Sequence, residues 1–482
     1  MNRRMVCRTV GLIVLLEALM LLLPLAVSLI YKDSCIPAFL LSILIALAIG
    51  LLMVLIAKPR TKVIYAKEGF AITTFAWLSL SAIGALPFFL SGQIPNYIDA
   101  FFETVSGFTT TGASILRDVT KLEKGLLFWR SFTHWVGGMG VLVFLVAFLR
   151  GISDRSIHIL RAEMPGPTMG KLMPKLKDTA KILYFIYLGM TAAQVIFLLL
   201  GGMDLFDSLV HTFGTAGTGG FGIYADSAGS FTPYQTWVIA IFMILFGVNF
   251  NLYYLILAKR VKTALSSTEL WVYLGIIFSA IAIICVNISG LYHTFGETLR
   301  HAVFQVSSIM TTTGFSSTDF NLWPGLSKTV LLILMFIGAC AGSTAGGLKV
   351  SRLIILVKNC FSEFRHMIHP RSVNVLRYEG KTVDKDTREK ANLYLVLYAL
   401  CFFVIFFLIS FDGFDIETNF SATAACFNNI GPGLGLVGPL SSYADYSYFS
   451  KILLSLAMLL GRLELWPILL ALIPGTWKGW RR

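Results

Sequence analysis

Apolar residues in this chain come in unbroken runs of about 20, the length that carries a helix across a hydrocarbon core of about 30 Å. Two runs come first, Val10–Tyr31 and Pro37–Ala57, followed by a basic stretch. One pattern then occurs four times: an apolar run, a short segment ending in small polar residues and glycine, and a second apolar run. The paired runs are Phe70–Leu90 and Leu126–Leu149, Ile182–Leu200 and Thr236–Leu257, Leu270–Ile288 and Leu326–Val357, and Leu393–Phe411 and Phe449–Ile473. The pattern predicts an all-α integral membrane protein of ten spans. Two N-terminal helices occupy 1–68. Helix–loop–helix repeats follow at 69–150, 151–260, 261–360 and 391–482, with a linker at 361–390. A membrane β-barrel is excluded, because its strands are short and alternate in polarity.

The intervening segments align without gaps. They are YIDAFFETVSGFTTTGAS (Tyr97–Ser114), DSLVHTFGTAGTGGFG (Asp207–Gly222), RHAVFQVSSIMTTTGFSS (Arg300–Ser317) and TNFSATAACFNNIGPG (Thr418–Gly433). Their shared glycines are Gly112, Gly220, Gly314 and Gly431. Before them stand Thr109-Thr110-Thr111, Gly217-Thr218-Gly219, Thr311-Thr312-Thr313 and Asn428-Asn429-Ile430. An apolar residue lies about ten positions upstream in three copies, at Phe102, Val210 and Phe304. Internal repetition on this scale signals architecture. The fourth copy is the most divergent.

Composition agrees, with 56% hydrophobic and 13% charged residues among 482. The net charge of +13 does not point to nucleic acid, because of where it falls. About thirty of the 39 Lys and Arg residues cluster at the N-terminus, Lys58–Lys67, Arg150–Lys181, Lys259–Lys262, Lys349–Lys390 and the C-terminus, the positive-inside pattern. It predicts both termini in the cytoplasm. Seven cysteines show no CxxC pair or metal-type spacing. The first run is too long for a signal peptide and lacks a small-residue cleavage site, so it reads as a retained span. No nucleophile–base pair, metal cluster or phosphate loop appears, so the chain does not read as an enzyme.

Each repeated segment is too short and polar to span a membrane. Its first part suits a short helix and its last part resists one. Non-helical backbone at membrane depth persists only where it is buried in protein or lines a wet cavity. Four such segments predict one central pore. Carbonyls turned inward replace an ion's water shell, and Gly, which tolerates positive φ, helps that conformation. The expected cation ligands are Thr110, Thr111 and Gly112; Thr218, Gly219 and Gly220; Thr312, Thr313 and Gly314; and Asn429, Ile430 and Gly431. Thr hydroxyls would add oxygens at the inner end, and each short helix would aim its negative C-terminal end at the ion.

The second run of the third copy is interrupted by GACAGSTAGGLK, Gly338 to Lys349. Gly costs about 1 kcal/mol against Ala inside a helix. Gly338, Gly342, Ser343, Gly346 and Gly347 therefore predict an intramembrane loop that gates the path; the competing reading is close helix packing through small residues. Arg462, in GRLELW, sits within an apolar run, where an arginine costs at least about 2.5–3.5 kcal/mol. It could bond the loop carbonyls and repel cations, snorkel to the inner face, or pair with Glu464. His134 and Trp135 read as interface packing. Glu103, His211 and Gln305 align and read as braces behind the pore loops. Residues 365–390 read as solvated linker able to dock a partner.

TTTGAS, TGGFG, TTTGFSS and NNIGPGLG resemble, in order, the four filter loops of the Trk/Ktr/HKT potassium transporter superfamily. The likeness covers essentially the whole chain, and the two extra N-terminal spans resemble the Trk membrane subunit rather than the shorter Ktr form. It implies potassium as the transported ion and a homodimer with one pore per protomer. It also implies a TrkA-like cytoplasmic ring that binds nucleotides, and the inner membrane of a bacterium. In that family the arginine matching Arg462 lies beside the gating loop. Members with Ser at the first filter glycine tend to pass sodium, so Gly112 favours potassium. Gly219, Asn429 and Ile430 depart from the Thr pattern and predict an asymmetric pore. The alternatives are a potassium symporter coupled to protons or sodium, and a poorly selective channel.

Overall fold

The computed structural model describes residues 1–59, 65–140, 176–371, 375–473 and 477. Among the described residues the regular structure is helical, apart from one two-stranded hairpin. Among the described residues six helices are long and apolar enough to cross a membrane, or seven if one bent pair counts as a single span. Their outward faces suit lipid rather than water. On helix Ile36–Ile56 the side chains of Leu40, Leu41, Leu44, Leu51, Leu52 and Leu55 are all exposed. An exposed apolar stripe of that size is tolerated where the solvent is hydrocarbon.

The two N-terminal spans cross closely because Gly11 and Gly50 face each other. A Cβ on Gly11 would lie 3.1 Å from the Gly50 carbonyl oxygen, and one on Gly50 3.1 Å from that of Gly11. Such small-residue contacts let membrane helices approach backbone to backbone. Leu21 interrupts the first span between Arg3–Met20 and Leu22–Tyr31.

Each repeat then lays down a first flanking helix, a short pore helix and a second flanking helix. The first flanking helices are Ala66–Gly84 (extended by Leu86–Leu90), Leu176–Leu200, Thr268–Ile288 and Lys385–Ile409. The pore helices are Tyr97–Phe108, Leu205–Ala216, Phe295–Met310 and Ile416–Phe427. Each carries an acid in its first turn, Asp99, Asp207, Glu297 or Glu417, which complements the helix dipole. Beyond their exposed first turns they are largely enclosed by protein: Phe102, Val210, Phe304 and Ala422 are fully buried.

The second flanking helices depart from the sequence reading. The third breaks after Phe336 and resumes at Val350, as its glycines predict. The second, expected as one run over Thr236–Leu257, is two helices, Pro233–Phe246 and Phe250–Leu257, at 90°. The fourth, expected over Phe449–Ile473, breaks between Arg462 and Trp466, where Glu464 and Leu465 take φ of 57° and 61°. The first, Lys124–Met139, stops at Gly140 with φ 82°; the rest of its expected run to Leu149 lies outside the described residues. With part of the first repeat's run outside the described residues, these breaks leave fewer than ten described helices that qualify singly as spans. The basic stretch from Arg150 to Lys175 and the C-terminal Lys478, Arg481 and Arg482 also lie outside the described residues. The linker is more ordered than expected. The third repeat's helix runs into it as far as Ile368, and a hairpin pairs Arg377 with Thr382 and Tyr378 with Lys381.

Candidate functional site

The four pore helices end in the same way. Thr110 N–H donates to the Gly107 carbonyl at 3.1 Å and Thr111 N–H to that of Ser106 at 2.9 Å. The same two steps recur at Thr218 and Gly219, at Thr312 and Thr313, and at Asn429 and Ile430. This is a Schellman closure, which satisfies the last helical carbonyls and needs a left-handed residue. Glycine usually takes that place. Here Thr110, Thr218, Thr312 and Asn429 do, with φ of 55°, 54°, 55° and 57°. A β-branched residue held there costs about 1–3 kcal/mol and persists only where its surroundings enforce it. Asn tolerates the conformation better, which explains the fourth copy's substitution.

Two residues on, Gly112, Gly220, Gly314 and Gly431 turn left-handed again, with φ of 81°, 74°, 86° and 96°. What faces them closes the site into a ring. A Cβ on Gly112 would collide with the carbonyl oxygen of Gly219, and one on Gly220 with that of Thr313. One on Gly314 would collide with the Ile430 oxygen, and one on Gly431 would reach the Thr111 oxygen at 2.7 Å. Each repeat's glycine thus seats the carbonyl of the next, and the fourth returns to the first. The twelve residues singled out from sequence are therefore brought together as one ring.

The side chains behind the ring differ between repeats. Glu103 accepts from Ser114 Oγ at 2.9 Å and Ile115 N–H at 3.0 Å, and pairs with Arg130 at 2.6 Å. Arg130 donates to the Gly222 carbonyl at 2.9 Å and lies 3.5 Å from the Phe221 ring centroid. Gln305 donates to Ser316 Oγ at 2.8 Å, and Ser421 holds Leu434 N–H at 2.8 Å in the fourth copy. His211 Nδ1 reaches back to the Asp207 carbonyl at 2.8 Å. Glu103 and Gln305 do brace the loops. His134 is not at an interface, as its neighbour Trp135 suggested. It is fully buried, with Nδ1 2.7 Å from the Gly107 carbonyl, and its ring fills the space that a side chain on Gly219 would need. That is why the second copy has Gly where the first and third have Thr.

The Thr hydroxyls are mostly engaged. Thr111 pairs with Thr109 at 2.8 Å and Thr313 with Thr311 at 2.7 Å. Thr312 Oγ1 accepts the Gly346 N–H at 2.7 Å, and Asn429 Nδ2 donates to Thr111 Oγ1 at 2.9 Å. Thr110 Oγ1 is buried with no partner among the described residues.

Beneath the ring lies the loop 337–349. It is moored, not loose. Gly338 N–H donates to Leu348 O at 2.8 Å, and Ser343 Oγ to Cys340 O at 2.7 Å. The break in the second repeat receives it: Cys340 N–H donates to Gly247 O, and Phe250 N–H to Gly342 O, both at 3.1 Å. Gly346 packs against Asn428 and Asn429, and Gly347 against Gly338. Arg462 donates to Thr344 O and Gly138 O, each at 2.7 Å, and also to Gly137 O. It therefore ties the loop to the first repeat. Glu464 binds both ends of Arg352, at 2.8 and 3.2 Å. A cavity under the loop is lined by Gly140, Ser343, Gly347, Lys349 and Arg462, among others. Buried Lys349 bonds the Ala345 carbonyl.

Sequence reasoning missed Arg130, Glu269 and Lys349. The signal was present in each case: an ionisable residue in or beside an apolar run. One metal-type group, Asp33, Cys35 and Glu123, occurs among the described residues. Its carboxylates are already taken by the N–H groups of Gly125, Ser34 and Cys35, so it is a structural cap.

A family model described as TrkH, cation transport protein, matches residues 35–272 and 262–476. The Trk system potassium uptake protein TrkH of Escherichia coli K12 is 36% identical over 99% of this chain and 100% of its own. TrkG of the same organism is 33% identical over 98% of this chain and 99% of its own. The crystal structure of the potassium transporter TrkH from Vibrio parahaemolyticus superposes with a TM-score of 0.89 at 31% identity, covering 99% of this chain and 100% of that one.

Proposed function

The chain belongs to the TrkH family of cation transport proteins, and from that premise we propose that it takes up potassium across a bacterial inner membrane through the ring of four pore loops. One observation carries the reading. The glycines and carbonyls of four unequal repeats close on one another in a cycle, so each quarter of the path contributes equivalent backbone oxygens. Oxygens arranged in that way replace the hydration shell of an alkali cation. The unpartnered Thr110 hydroxyl supplies a further oxygen. The loop 338–347, with Arg462 and Lys349, forms the gate. The Arg462 charge beside the path repels an entering cation, and Arg462 holds the loop in place through Thr344. The termini face the cytoplasm, two copies pair in the lipid, and a nucleotide-binding subunit on the cytoplasmic side controls opening.

The test is potassium and sodium flux into liposomes holding the purified protein, with Gly112→Ser beside it. The serine Cβ would strike the Gly219 carbonyl and distort the ring. Potassium flux well above sodium, collapsing to near parity in the variant, is expected. Equal fluxes that the variant leaves unchanged would remove the ring as the filter.

The coupled-carrier reading gains one candidate. Glu17, in the first span, is fully buried and neither oxygen has a partner among the described residues. Currents that reverse at the potassium equilibrium potential, whatever the pH gradient, decide for the channel.

A further inference from the structure

We propose that the hairpin of the linker, Arg377–Thr382, clamps the loop 338–349 shut through Glu269, making Glu379 and Glu269 positioning residues of the gate. The inference rests on reading that loop as the gate. The route is continuous and built of hydrogen bonds. Glu269 is buried in the first turn of helix Thr268–Ile288. One of its oxygens, Oε1, accepts the Ala341 N–H at 2.7 Å and the Ser351 N–H at 3.1 Å. Ala341 lies in the first half of the loop, and Ser351 in the first turn of the helix that follows it. A single carboxylate oxygen therefore ties the first half of the loop to the helix beyond it and satisfies a donor that a helix N-terminus leaves orphaned.

The hairpin holds Glu269 in turn. Glu379 Oε1 accepts the Glu269 N–H at 3.0 Å and the Ser267 hydroxyl at 3.1 Å. Tyr378, beside Glu379 in the hairpin, is buried against the Glu269 carboxylate. The turn that presents these side chains is tight: Glu379 and Gly380 are both left-handed, with φ of 48° and 72°. That is the pattern of a two-residue type I′ hairpin, a stiff connection. The hairpin's other side is tied to the helix beyond the loop, because Lys358 Nζ donates to Arg377 O at 3.0 Å. Loop, helix 350–368, hairpin and Glu269 form a closed circuit. Arg377, Lys381 and Thr382 face outward. A displacement of the hairpin withdraws one charged acceptor from two donors at once and loosens the hold of Glu269 on the loop and on the helix beyond it.

The loop carries its own reporter, since Cys340 is fully buried within it. The experiment uses full-length protein in liposomes with Cys340 as the sole cysteine. It reads maleimide labelling of Cys340, potassium flux and the potassium-to-sodium ratio. Glu379→Ala should raise labelling rate and basal flux about tenfold, as the loss of two hydrogen bonds to a charged acceptor allows, while the ion ratio stays put. Glu379→Gln keeps the accepting oxygen and should restore the protected, low-flux behaviour. Arg462→Ala is run alongside. If Glu379→Ala matches the parent in both labelling and flux while Arg462→Ala raises flux, the clamp is wrong and the gate stands. If Arg462→Ala is inert as well, the gating role of the loop falls, and the clamp with it.

Discussion

The pore loops and the breaks in the second flanking helices lie one above the other, built from the same four repeats, yet they diverge in opposite ways. The loops keep one backbone from four sequences. The left-handed residue is Thr three times and Asn once, and the residue after it is Thr, Gly, Thr or Ile, but φ at the first position varies only from 54° to 57°. The breaks turn one inherited element into four different structures. One is a helix end at Gly140, one a 90° bend, one a 13-residue loop over 337–349 and one a kink with two left-handed residues. On the proposed reading an ion on the axis needs equivalent oxygens from every side, and divergence among the loops is confined to side chains behind the ring. A gate needs one moving part. On the proposed reading of the loop as that part, the other three quarters are its mountings: the bend receives Cys340 and Gly342, the kink presents Arg462, and the helix end offers Gly137 and Gly138.

The sharpest way to break this comparison is to make the loops more alike in sequence. Gly219→Thr gives the second copy the triplet ending of the first and third. If the loops were interchangeable, the change would be harmless. The structure predicts loss of at least about tenfold in potassium flux, because a Cβ at 219 overlaps the His134 ring and overpacking a filled site costs about 1–3 kcal/mol. His134→Ala removes the ring, and the double variant should recover part of the loss. Residues in contact couple by about 0.5–3 kcal/mol in such cycles. Additive effects in the flux assay would mean that His134 does not set the identity of residue 219.

Arg462→Ala sharpens the other side of the comparison. It removes the bonds to Thr344 in the loop and to Gly137 and Gly138 in the first repeat, and removes a charge beside the path. Basal potassium flux should rise several-fold, with the potassium-to-sodium ratio unchanged because no ring residue is touched. Arg462→Lys keeps the charge but cannot reach three carbonyls with one planar fork, so it should leave an intermediate flux. A change in ion ratio without a change in rate would tie Arg462 to the ring rather than to the gate.

Much of the ring was legible before any coordinates, because a gapless alignment of Gly112, Gly220, Gly314 and Gly431 has one geometric meaning once four copies must share an axis. The loop in the third repeat was legible for a similar reason, since its glycines cannot sustain a helix. The breaks in the second and fourth repeats were not. Gly247-Val248-Asn249 contains one glycine, and Leu463-Glu464-Leu465 none. Their helical pattern is intact, and tertiary contacts bend them: the loop docks at Gly247, and Arg352 pulls on Glu464. His134 was misread because Trp135, beside it, has the composition of a membrane interface. The hairpin was missed because two-residue strands leave no periodicity, although Glu379-Gly380 is a turn signal.

The smallest effect belongs to the mouth of the ring, where Arg117 pairs with Asp445 across the first and fourth repeats. The contact is close, yet the two side chains are 73% and 65% exposed. Exposed pairs contribute only about 0–1 kcal/mol, so Arg117→Ala should leave thermal stability within that range. What the variant changes is local charge. Asp445 is left unopposed near the entry of a cation path, and an unopposed negative charge concentrates cations there. Potassium influx at low ionic strength should rise by less than about twofold. The rise should vanish at about 0.15 M salt, where charges beyond about 8 Å are screened. The ion ratio should not move at either salt, because the ring's oxygens belong to the backbone and the pair touches none of them. A salt-independent loss of selectivity in Arg117→Ala would show instead that the mouth helps to hold the ring's shape, and the uniformity of the four loops would then depend on contacts outside them.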